Sequence, residues 1–180
     1  MKKIVSSLIL IVTLSVLLIG CSGKDNSTAA GSNELRQYNA FISAFEDLVS
    51  KLPDYSVLQL SDVPLEDNSV CHTFYIEDSV FDETYWLSVY TNEDSEITWV
   101  FLSTERKSYG NLQFAVFSLY AYEAMDFPEV DADSFYEKYD LFSKEKIFES
   151  NVYKDYEITS MTIDATNEIT FSIKTPSNKE

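Results

Sequence analysis

Histidine, arginine, cysteine and glycine are nearly missing from this chain, and each scarcity removes a class of chemistry. His72 is the single histidine among 180 residues. Transition-metal centres are built from clusters of His and Cys, so no metal ligand is assigned and no cofactor is expected. Only Gly110, of four glycines, lies in the part of the chain able to fold into a core, which excludes the glycine-rich loops that cradle phosphates. No Gly-x-Ser-x-Gly elbow exists for a nucleophilic serine. On a regular strand Cys71 and His72 point to opposite faces, so they form no catalytic dyad. A serine set beside His72 and a carboxylate is the nucleophilic arrangement left, and it lacks its elbow. Arginine occurs only at Arg36 and Arg106, against a formal net charge of −17. A surface of that sign repels phosphate backbones and anionic lipid headgroups, so no nucleic-acid partner is expected.

What is present is most specific at the N-terminus. Met1-Lys2-Lys3 is followed by an apolar run, Ile4 to Ile19, broken only by Ser6, Ser7, Thr13 and Ser15. A membrane-spanning helix needs about 20 apolar residues. A positive start, a shorter apolar core and a small closing residue describe a secretory signal. It ends in Leu18-Ile19-Gly20-Cys21. That tetrapeptide resembles the lipobox of bacterial lipoproteins, with Ile19 where Ala or Ser is more usual. The resemblance implies diacylglyceryl transfer to the Cys21 sulfur and cleavage before it, so residues 1–20 are expected to be a signal peptide. The mature protein is then expected at the extracytoplasmic face of the cell membrane, held by lipid. Cleavage also removes Lys2 and Lys3, making the chain more acidic still. Residues 21–33 carry no large apolar group after the cysteine and read as a flexible tether. With Cys21 lipidated, Cys71 has no partner for a disulfide.

Residues 34–180 are then one domain, of a size that sustains its own core. The chain is 45% hydrophobic and 14% aromatic, which marks it as globular rather than disordered. From Asn33 to Leu52 the apolar residues Leu35, Tyr38, Phe41, Ile42, Phe45, Leu48, Val49 and Leu52 recur in steps of three and four. This spacing predicts an amphipathic helix with Asn33 as N-cap and Pro53 beyond its end. Alternation and β-branched or aromatic enrichment predict strands over 71–77, 85–91 and 96–104, with a short strand over 56–60 less clearly written. Asn92-Glu93-Asp94-Ser95 turns the last pair into a hairpin. The strand 96–104 sets Ile97, Trp99 and Phe101 opposite Thr98, Val100 and Leu102, apolar on both faces, as a central strand is. A second helix, 109–125, is apolar nearly all round and belongs in the centre of the fold. Pro128 separates it from a third, 131–142, capped by Asp131 or Asp133. Strands over 155–164 and 168–175 close the chain around Ala165-Thr166-Asn167.

The fold class is therefore α+β: an antiparallel sheet of about five strands with helices packed on it, in the order α-β-β-β-α-α-β-β. That order is similar to the one found in type III secretion chaperone-like domains. Twelve tyrosines, twelve phenylalanines and two tryptophans are many for a chain of this size, serving either as core beneath the helices or as an open binding face. Tyr75, Trp86 and Tyr90 are predicted to share one sheet face, the candidate binding surface for an envelope protein, a peptide or a glycan. The function expected is a non-catalytic binding or protein-interaction module. Two alternatives stand beside it. One is an envelope glycan hydrolase working with paired carboxylates. The other is a calcium-dependent module using the Glu93–Glu96 or Asp131–Asp133 carboxylates.

Overall fold

The computed structural model describes residues 35–78, 83–105, 112–141, 148–153, 155–163 and 165–176. All of them belong to one unit, Glu34–Glu180. The signal peptide, Cys21, the tether, Asn33, the start of the second expected helix, Phe142 and the last four residues lie outside the described residues.

Among the described residues three helices and seven strands follow one another as α1 (Tyr38–Val49), β1 (Tyr55–Pro64), β2 (Val70–Asp78), β3 (Thr84–Thr91), β4 (Ile97–Glu105), α2 (Leu112–Ala124), α3 (Ala132–Lys138), β5 (Phe148–Tyr153), β6 (Tyr156–Ile163) and β7 (Glu168–Lys174). The strands make a single antiparallel sheet in the order β1-β2-β3-β4-β7-β6-β5. The α+β class holds. The count of about five strands does not, because β1 and β5 add one strand to each edge. The chain order is accordingly α-β-β-β-β-α-α-β-β-β, which departs from the type III secretion chaperone-like order as well.

The short strand expected over 56–60 is present as part of the longer β1, and β5 is the strand the sequence does not announce; both are edges, where the physical signal is weakest. β1 is exposed over most of its length and carries an irregularity between Gln59 and Ser61. The irregularity breaks the period of two that alternation depends on. β5 is Phe-Glu-Ser-Asn-Val-Tyr, half of it poor strand formers. β4 occupies the middle position, between β3 and β7, as its two apolar faces require.

Helix α1 begins later than its apolar spacing implies. Arg36 and Gln37 are drawn into a short extended bridge on the β3–β4 turn: Gln37 pairs with Glu96, the Ile97 N–H donates to the Arg36 carbonyl (2.8 Å), and the Tyr38 N–H donates to Ser95 (2.9 Å). Gln37 is thus the N-cap, in an extended conformation and without a side-chain cap. Phe41, Phe45 and Val49, one turn apart, form the buried stripe. Helix α2 is buried on every side from Phe114 to Ala121. It lies between α1, α3 and β4, and Ser118 satisfies its hydroxyl on the Phe114 carbonyl one turn back (2.8 Å). Among the described residues no helix is long and apolar enough to cross a membrane. Helix α3 is capped by Asp131, whose side chain accepts from the Ser134 N–H at 3.0 Å.

One face of the sheet supplies Phe74, Ile76, Tyr85, Leu87, Val89, Val100, Leu102, Ile158, Ile169, Phe171 and Ile173 to the core, and all are buried against the helices. Both predicted hairpin turns are present. The Asn92 side chain accepts from the Asp94 and Glu96 N–H groups (3.1 and 2.9 Å). Ser95 and Asn167 take the left-handed conformation that tight turns need.

Candidate functional site

The other face of the sheet carries the candidate residues. Side chains alternate across a strand, so in β2 and β3 the partners of the core residues point away from the helices. The ladder makes Tyr75 the direct neighbour of Trp86 and Cys71 that of Tyr90. Tyr75, Trp86 and Tyr90 therefore stand on one face, as the alternation predicts. None of the three belongs to the hydrophobic core or to the side chains packed against it. Trp86 is 44% exposed, the more exposed of the two tryptophans.

Two aromatic groupings organise this face. Near one end, Tyr75 and Trp86 meet edge to face at 5.6 Å between centroids. Near the other, Tyr90 stacks on Trp99 at 4.7 Å and Trp99 meets Phe101 edge-on at 5.6 Å. Trp99 is fixed twice more, by its indole N–H donating to the Ser172 hydroxyl (2.7 Å) and by the Lys174 ammonium 4.8 Å from its ring centre. The latter is a cation–π contact. Burial pushes the Tyr90 phenol up, and the adjacent Cys71 pushes it the same way. On β2 and β3 Thr73 and Ser88 separate the Tyr75–Trp86 pair from Tyr90 by one cross-strand row, and Phe101 lies opposite Ser88 in that row.

Trp99 and Phe101 belong to the site although sequence reasoning did not place them there. Strict alternation sets Ile97 with them. The β3–β4 register shifts between Tyr90 and Thr91, and this turns Ile97 into the core beside Val100 and Leu102 while Trp99 and Phe101 stay outside. A bulge is the one device that lets a strand change face mid-course, and neither Ile97 nor Thr98 announces it.

Trp86 also forms one wall of a polar cleft lined by Glu83, Thr84, Thr104, Glu105, Thr166 and Glu168. Glu105 and Glu168 are direct cross-strand neighbours. In this cleft Glu83 accepts from the Tyr85 hydroxyl (2.5 Å), and Glu168 accepts from Thr166 (2.8 Å).

His72 sits on the core side, opposite Cys71. Its Nδ1 donates to Asp62 of β1 (2.7 Å), its Nε2 lies 3.3 Å from the Thr91 hydroxyl of β3, and its ring stacks on Tyr38 of α1 at 3.9 Å. The three groups have the makings of a nucleophile–base–acid set with threonine in place of serine. Thr91, however, is only 2% exposed, and a buried hydroxyl reaches no substrate carbonyl. The cluster acts as a clamp across β1, β2, β3 and α1.

The clamp has a pH signature. The hydrogen bond from His72 holds the Asp62 carboxyl below its ordinary value. A depressed carboxyl contributes stability above its unfolded pKa, near 4, and that contribution is lost as pH falls through the folded value. His72→Gln is expected to flatten the acid limb of a plot of Tm against pH below about 4. Parallel curves for the two proteins would show that the clamp contributes nothing.

Of the carboxylates considered for calcium, Asp131 caps α3 and Glu96 accepts from the Asn92 side-chain amide (2.9 Å). Among the described residues no three Asp, Glu, His or Cys side chains converge as a metal set. The site thus defines an α+β domain with helices on one sheet face and aromatic side chains on the other. No protein-family model, no curated protein and no solved structure matches the chain.

Proposed function

We propose that this protein is a lipid-anchored, extracytoplasmic binding module that holds an envelope protein partner on the helix-free face of its sheet, without catalysis. The lipobox-like Leu18–Cys21 supports the anchorage. The observation that carries the binding role is the position of Trp86: a large, half-exposed indole beside Tyr75, on a face shared with Tyr90, Trp99 and Phe101 and left out of the core. Exposed aromatics of this kind are the side chains that dominate binding energy at protein interfaces. Rim charges suit a basic partner, since Glu77, Glu83, Glu105 and Glu168 lie at the Trp86 end.

The experiment is site-specific photo-crosslinking in intact cells of the source bacterium. A photoreactive residue at Ser88, on the aromatic face, is expected to trap a discrete partner. The same group at Glu46, on the exposed side of α1, is expected to trap none. Trp86→Ala, added to the Ser88 probe, is expected to reduce the adduct about tenfold, the equivalent of 1.4 kcal/mol, with an unchanged melting temperature. An adduct indifferent to Trp86 removes the face from the binding site.

The reading as a glycan hydrolase draws on the cleft beside Trp86, with Glu105 opposite Glu168. Release of reducing sugar from isolated cell-wall glycan, abolished by Glu105→Gln or Glu168→Gln, would favour it over the binding module.

A further inference from the structure

The sheet ends on β1, which pairs with β2 on one side only. Along a strand in that position, alternate N–H and C=O groups point outward without a ladder partner, ready to pair with another chain. Proteins usually blunt such an edge with lysine, proline, charge or brevity. β1 has few of these defences. It is ten residues long, holds no lysine, and places its one proline at its last position, Pro64. Its one charged residue, Asp62, is engaged by Gln59 and His72. The opposite edge, β5, has six residues and carries Glu149.

The same strand concentrates exposed aliphatic surface. Leu58 is 47% exposed, Leu60 53% and Val63 47%, and these are three of the six large hydrophobics exposed among the described residues. Leu58 pairs with Tyr75 and Val63 with Cys71, so both continue the aromatic face outward to the edge. At the irregularity between Gln59 and Ser61, Leu60 has no partner on β2, and the ladder is regular over 55–59 before it and 61–64 after it.

Charge decides between occupants. Glu77 lies opposite Ser56, Asp62 lies on the strand, and Glu66 and Asp67 follow it. A second copy would bring the same acidic side chains and a formal charge of −17 to the contact. An extended segment with lysine or arginine would meet complementary charge.

We propose that β1 is an open docking edge on which a short, extended, basic segment of a partner protein adds as an eighth strand. Main-chain hydrogen bonds along 56–60 give the affinity, apolar side chains lie beside Leu58 and Leu60, and the basic residues, on the alternate face, lie toward Asp62, Glu66 and Asp67. Strand addition of this type reads alternate side chains while the backbone supplies the binding energy. The inference stands apart from the aromatic-face reading, because it concerns backbone groups of β1, and either can fail alone.

The test uses the full-length protein in a non-ionic detergent and a capped ten-residue peptide of alternating valine and lysine as the probe. Two comparison peptides replace every lysine by glutamate, or methylate the backbone nitrogens throughout. The lysine peptide is expected to bind at least about tenfold more tightly than either, and to slow amide exchange across 56–60 about tenfold while leaving 148–153 unchanged. The double variant Leu58→Lys, Leu60→Lys alters exposed positions only, so it is expected to fold normally and to lose binding about tenfold. Equal binding of the methylated peptide would reduce the effect to charge adhesion and overturn the proposal. So would protection confined to β5. Concentration-dependent protection of 56–60 without peptide would assign the edge to a second copy and overturn it equally.

Discussion

Phe117→Ala is expected to lower the unfolding free energy by about 3–5 kcal/mol, the range for emptying a fully buried aromatic site. Phe117 has no exposed surface. It projects from α2 between two tyrosines, meeting Tyr55 of β1 edge-on at 5.2 Å and Tyr85 of β3 at 4.9 Å. Truncation therefore removes the transfer energy of the ring, two aromatic contacts and the filling of a space that α2 cannot collapse into, since it is also packed against α1 and α3. A domain of this size has roughly 5–15 kcal/mol in total, so the variant retains a fraction of its stability. Phe117→Leu keeps most of the volume and is expected to cost about 1.5 kcal/mol or less. Urea unfolding of the three proteins checks both figures. A loss below about 1 kcal/mol for the alanine variant would mean that α2 does not lie where the sheet places it.

Cys21→Ala is expected to abolish lipid attachment altogether. Each buried methylene contributes roughly 0.8 kcal/mol, and two acyl chains give an anchorage that one does not, so removal of the sulfur is expected to remove the lipid's contribution to membrane affinity. Wild-type protein from cells fed labelled palmitate is expected to carry the label and to begin at Cys21 in intact-mass spectra. The alanine variant is expected to carry none. Cys71, the other cysteine, provides the control, since Cys71→Ala is expected to leave labelling unchanged. A labelled Cys21→Ala protein, or a native chain that still begins at Met1, would end the case for the anchor.

The legible parts of the fold were those in which burial repeats with a fixed period. Phe41, Phe45 and Val49 announce α1 because one face of it is dry. Tyr85, Leu87 and Val89 announce β3 because alternate side chains are dry. Asp131, Asn92 and Asn167 were legible as cap and turns because their short polar side chains or left-handed backbones do local work. The edges were less so: β5 went unannounced, and β1 was legible only over 56–60, since Leu58, Leu60 and Val63 face solvent and obey no burial period. Nor was the start of α1, where residues 36 and 37 have the composition of a helix and the bonding of a strand. Their partners, Ser95, Glu96 and Ile97, lie some sixty residues away, and no local propensity encodes that. Of the site, the sharing of one face by Tyr75, Trp86 and Tyr90 follows from alternation alone. The addition of Trp99 and Phe101 depended on a register shift that only the paired strand reveals.

The sheet order carries a consequence for how the molecule comes apart. β1 to β4 run as one meander and β5 to β7 as another, each joining sequence neighbours, and among the described residues the one ladder between them is β4 against β7. That join links Glu105 to Glu168 across more than sixty intervening residues, whereas every other ladder between named strands closes a hairpin. Two ribbons sewn along one seam should open there first: local contacts form early and distant ones late. Trp99, bonded to Ser172 and covered by Lys174, is the stitch on the outer side, and Leu102 beside Phe171 is the stitch within.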